Sequence, residues 1–137
     1  MKLKKYDYLY VGLTENNLKV ITAKDRKSKD LKLSYICAAP SMGLAVLLGL
    51  NWSDKEAEIE EHGKKLTFTI KEKIETPTIY LYMVPSTGFQ RLDPESDLIW
   101  VTNSPVVALD KQSISEPLNF AENRGITIIE KYKQIKV

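Results

Sequence analysis

Tyr35-Ile36-Cys37-Ala38-Ala39-Pro40, running straight into Ser41-Met42-Gly43-Leu44-Ala45-Val46-Leu47-Leu48, is the stretch whose reading decides the fold. Its first half, from Leu33 to Ala39, reads as a buried strand with Pro40 as a stop. Ser41 offers a hydroxyl to cap the following segment. The residues after it are apolar nearly all round, so the helix they form belongs in the core. A second segment pairs with it. Tyr6 to Val11 is rich in aromatic and β-branched residues and reads as a strand ending at the turn residue Gly12. A strand closed by glycine and a strand feeding a buried helix can together line a cleft.

Working outward, Asn16 to Ile21 reads as a helical turn or loop, and the charges from Thr22 to Lys32 follow neither helical nor strand periodicity, as in an exposed connection. Asn51 to Lys64 carries Asp54, Glu56, Glu58, Glu60 and Glu61 with little apolar cover, and reads as a solvated turn or short helix. In Lys65 to Lys71, Leu66, Phe68 and Ile70 alternate with Thr67 and Thr69, which predicts a half-buried strand. Thr78 to Val84 is another strand, bounded by Pro77 and Pro85. Leu98 to Thr102 and Val106 to Leu109 are two short ones around Asn103-Ser104-Pro105. Glu116 to Asn123 reads as a helix stopped at Gly125, and Ile126 to Ile129 as the last strand. Five to seven strands and two or three helices in irregular order predict an α+β domain of mostly antiparallel sheet.

The 137 residues fit one domain spanning 1–137, long enough to bury a core without disulfides. Twenty basic against eighteen acidic residues give a formal charge of +2. That balance disfavours a nucleic-acid partner. The basic stretch Lys24 to Lys32 has no interleaved aromatics for base stacking, and Tyr80, Tyr82 and Trp100 read as cross-strand packing partners. One cysteine, Cys37, excludes an internal disulfide and fits a reducing, cytoplasmic setting. The longest apolar run, Met42 to Leu50, is too short to span a bilayer, so no membrane is expected.

Few residues offer chemistry. His62, the only histidine, sits in a turn composition, Glu60-Glu61-His62-Gly63-Lys64. Cys37 has apolar neighbours on both sides, as an inert core thiol does. Asp93, Glu95 and Asp97 have part of a calcium-loop spacing, but Pro94 interrupts it and neither the glycine nor the distal glutamate is in place. No metal is expected. The glycines are scattered and none forms a phosphate loop, which excludes an ATPase or kinase.

Leu9-Tyr10-Val11-Gly12 followed by Glu15 to Ile21 resembles the opening of ADP-ribosyltransferase-like domains, and Tyr35 to Ser41 with Leu44-Ala45 is similar to their second block. Ile79 to Ser86 and Leu98 to Pro105-Val106 look like the later strands of small bacterial or phage members. The resemblance implies an ADP-ribosyltransferase-like fold with NAD or ADP-ribose as the candidate ligand. It also implies roles that this chain does not fill. The first-strand histidine or arginine is Val11, the late-strand glutamate falls on Ile99, and Ala39 stands where a hydroxyl is common, with Ser41 displaced by two residues. An oxocarbenium-like transition state needs a fixed negative charge and a positioned sugar.

The leading expectation is therefore a catalytically degenerate domain that binds a nucleotide-derived ligand or a macromolecular partner. Tyr10, Gly12, Tyr35, Ser41 and Trp100 would line its cleft, with Arg26 reaching a phosphate. One alternative is an active NAD-dependent transferase or glycohydrolase in which the loop carboxylate Glu95, or Asp97, is catalytic. The other is a bacterial or phage protein-protein interaction module.

Overall fold

The computed structural model describes residues 6–23 and 35–134. In chain order the elements are β1 (Tyr8–Leu13), β2 (Val20–Ile21), β3 (Ile36–Ala38), α1 (Met42–Leu48), β4 (Ala57–His62), β5 (Lys65–Ile70) and β6 (Ile79–Pro85). There follow β7 (Gln90–Arg91), β8 (Trp100–Thr102), β9 (Val106–Val107), β10 (Asp110–Ile114), α2 (Pro117–Asn123), β11 (Thr127–Glu130) and a 3-10 turn at Lys131–Gln134. The class is α+β.

β6 is the organising strand. It pairs antiparallel with β1 on one side and β10 on the other, placing Met83 between Tyr10 and Asp110. Side chains alternate across a strand, so β6 feeds two cores. Ile79 and Leu81 join Leu44, Leu47 and Phe68 on one face, whereas Tyr82 and Val84 join Leu9, Val11 and Ile36 on the other. A second sheet, in the order β11-β5-β4, lays Phe68 and Ile70 against the first core. Two smaller sheets, β2-β9 and β3-β8-β7, lie beside the second core.

Helix α1 forms as its sequence predicts. The Ser41 hydroxyl accepts the Leu44 N–H at 3.2 Å, and Gly43 to Leu48 are buried. Helix α2 starts at Pro117, and Gly125 beyond its end takes φ 92°.

Several elements depart from expectation. β1 does not stop at Gly12 but continues through it to Leu13, because β6 pairs with it to the end, Gly12 opposite Leu81 and Leu13 opposite Tyr80, while α1 crosses the strand at Gly12. Residues 57–62 form a strand rather than a turn or short helix. They pair with β5 through the two-residue turn Gly63-Lys64, where Gly63 takes φ 65°. Asp110 to Ile114, without apolar alternation, is a strand because β6 offers it a backbone partner, and β2 is a strand because β9 does. β11 runs parallel to β5, a local exception to the antiparallel rule. Most of the 22–32 connection lies outside the described residues. Among the described residues no helix is long and apolar enough to cross a membrane.

Candidate functional site

The seam between the two opening segments is closed by the backbone itself. Tyr10 N–H donates to the Ala39 carbonyl and Ala39 N–H to the Tyr10 carbonyl, both at 2.9 Å. Val11 and Ala39 are buried completely. Gly12 faces α1: a Cβ there would stand 2.3 Å from the Ala45 carbonyl oxygen. Its bare backbone is occupied by a helix, with no room left on that side for a dinucleotide. Tyr10 borders a small hollow of about 130 Å³ with Met42 and Met83, and Tyr35 is half-buried just before β3. Arg26 lies outside the described residues.

Ser41 and Glu95, in contrast, come together. They border an open cleft of about 500 Å³ with Tyr6, Pro40, Glu61, Lys64 and Asp97. One wall is the tip of the β4–β5 hairpin, which carries Glu61 and Lys64. The other is the 92–98 loop, which holds its own shape. Leu92 N–H reaches the Ile99 carbonyl at 2.9 Å, Ser96 N–H the Asp93 carbonyl at 2.9 Å, and Glu95 N–H the Asp93 carboxylate at 3.0 Å. Such a loop presents Glu95 from a preformed backbone, although the side chain itself stands in solvent.

Beneath that loop lies a compact polar and aromatic cluster. Trp100 is buried, and its indole N–H donates to the Asp97 carbonyl at 3.0 Å. Arg91 lies over the Trp100 ring with its guanidinium carbon 4.3 Å from the centroid, and its Nε donates to the Asp97 carboxylate at 2.6 Å. Tyr6 meets Trp100 edge to face, with centroids 6.1 Å apart. Partial burial, then the neighbouring Asp97 charge, push the Tyr6 phenol above its usual 10.0, against an opposing pull from Arg91. The phenol stays protonated and offers a donor to the cleft. Trp100 thus forms the floor of the loop rather than the lining.

Tyr6, Glu61, Lys64 and Arg91 were not singled out in the sequence. No local signal connects residues 61–64 with 95–98, because their meeting depends on how the β4–β5 sheet stands against β8. The polar equipment suits binding more than catalysis. Glu61 and Glu95 can accept hydroxyl hydrogens, Lys64 can meet a phosphate, and Asp97 is engaged by Arg91. His62 is exposed and meets Glu60 at 3.1 Å, while Cys37 is buried, so neither supplies a nucleophile and base pair. Among the described residues no three side chains of metal-binding type cluster. No protein-family model, curated protein or solved structure matches the chain.

Proposed function

We propose that this chain is a catalytically silent, ADP-ribosyltransferase-like domain that holds a nucleotide-derived ligand in the cleft between the 61–64 turn and the 92–98 loop. The observation that carries this reading is the convergence of Ser41 and Glu95, from distant parts of the chain, on one cleft with Tyr6. The volume suits a nucleoside-sized group. Tyr6 offers a ring and a phenol donor, the glutamates offer acceptors for ribose hydroxyls, and Lys64 stands at the rim for a phosphate.

The absence of turnover follows from position. Val11 and Ala39, which stand where the resembled family carries polar groups, are buried in apolar surroundings. Glu95 projects from an exposed loop into water, where a carboxylate attracts a developing cation far less than in a dry site.

Isothermal titration with ADP-ribose, NAD and adenosine tests the reading. ADP-ribose is expected to bind, and Tyr6→Ala or Glu95→Gln to weaken it at least about fivefold, roughly 1 kcal/mol. No heat from any of the three overturns the proposal. Turnover of NAD that disappears in Glu95→Ala would replace it with the enzyme reading.

A further inference from the structure

We propose a second binding site, independent of the cleft above, for a small amphipathic monocarboxylate. It is the groove of about 440 Å³ where Leu18, Lys19, Tyr82, Ala108, Leu109 and Lys111 meet, with Asn17 and Asp110 at its edge.

The body of the groove is apolar. Beneath it lies Tyr82, fully buried, whose hydroxyl donates to the Glu15 carbonyl at 2.6 Å and accepts the Leu18 N–H at 3.3 Å, tying the segment that carries Leu18 to β6. Leu109 lines the groove yet is 49% exposed.

Its polar end is built around Lys111. The ammonium donates to the amide oxygens of Asn16 and Asn17, the latter at 3.1 Å, and lies 5.8 Å from the centre of the Tyr80 ring. Asn17 takes φ 63°, and Asn16 Oδ1 also accepts the Asn17 N–H at 2.8 Å, so the turn fixes the two acceptors. These partners orient the ammonium without neutralising it. Among the described residues no carboxylate stands within ion-pair distance of Lys111 Nζ. Lys19 adds a second cation to the lining and Asp110 one anion, which leaves one net positive charge. A single carboxylate at Lys111 with an alkyl or aryl body along Leu18, Ala108 and Leu109 matches both ends.

The test is an amide chemical-shift titration with octanoate and, separately, octylammonium. Octanoate is expected to move residues 17–19 and 108–111, octylammonium to leave them in place, and Lys111→Met to weaken octanoate at least tenfold with an unchanged thermal midpoint. Equal response to the two amphiphiles, no shift at millimolar octanoate, or undiminished octanoate binding by Lys111→Met would each overturn the proposal. None of these outcomes depends on whether the other cleft binds ADP-ribose.

Discussion

A methyl group at position 12 would stand 2.3 Å from the Ala45 carbonyl oxygen and 3.1 Å from its carbon, so strand and helix backbones touch there. Gly49, at the other side of the contact, would place a Cβ 2.8 Å from the Gly12 carbonyl carbon. Neither clash can be relieved by turning a side chain. Gly12→Ala is expected to cost about 3 kcal/mol, at the upper end for overpacking, read as a lowered urea midpoint. Gly88→Ala is the control. It meets open space but requires φ 87°, so about 1 kcal/mol is expected. The sequence marks Gly12 as a turn residue and as cleft lining, whereas the structure needs it bare for the close approach of a helix. A ligand and a helix impose the same demand for glycine. Tyr6 yields a prediction of another kind. Its phenol is raised in the folded state by burial and by Asp97, so the folded state holds that proton more tightly than the unfolded chain. The resulting stability is complete below the ordinary pKa of about 10 and is lost as pH rises through the raised folded value. Tyr6→Phe is therefore expected to flatten the fall in stability above pH 10, measured by thermal midpoints between pH 8 and 11. An unchanged alkaline fall would show that Tyr6 does not contribute to it.

The elements legible in the sequence were those whose own side chains decide them. Lys65 to Ile70 alternates apolar and polar residues, and the Ser41 cap precedes an apolar run, so β5 and α1 follow from local chemistry. Elements defined by a partner were not legible. In β4, Glu58, Glu60 and Glu61 have low strand propensity, yet the strand forms because Ala57 and Ile59 face the core and β5 pairs along its whole length. The same glutamates suit an edge position, since charge on an edge strand deters pairing with another chain. In β10, Asp110 to Ser113 offer no apolar side chain to a core, and pairing to β6 supplies the order. The candidate cleft follows the same division. Local signals mark Ser41 as a cap and Glu95 as a loop residue, while their assignment to a cleft rests on the resemblance. Glu61 and Lys64 could not be found, because they reach the cleft only through the placement of one hairpin against another loop. A site assembled across sheets is encoded in tertiary contacts that no window of sequence contains.

At the scale of the whole molecule, the two apolar cores are separated by one layer of backbone. β6 contributes Ile79 and Leu81 to the first and Tyr82 and Val84 to the second, so neither core can lose its packing without disturbing a strand that the other uses. Both flanks of β6 are paired, to β1 and β10, and the amides of this strand are expected to exchange only by global opening. β5 is likewise paired on both flanks, and its Phe68 is fully buried in the first core. Val84 lies in the second core, also fully buried. Truncation by Val84→Ala removes two methyl groups and leaves a cavity, a loss of about 2 kcal/mol. If β6 couples the cores, that loss appears in the exchange free energy of the Phe68 amide, across the central sheet, as fully as in that of Tyr82. Native-state hydrogen exchange of wild type and Val84→Ala reads both amides in one experiment. Equal reductions establish a single cooperative unit, whereas a drop at Tyr82 with Phe68 unchanged would mean that the cores open separately and that β6 does not transmit packing between them.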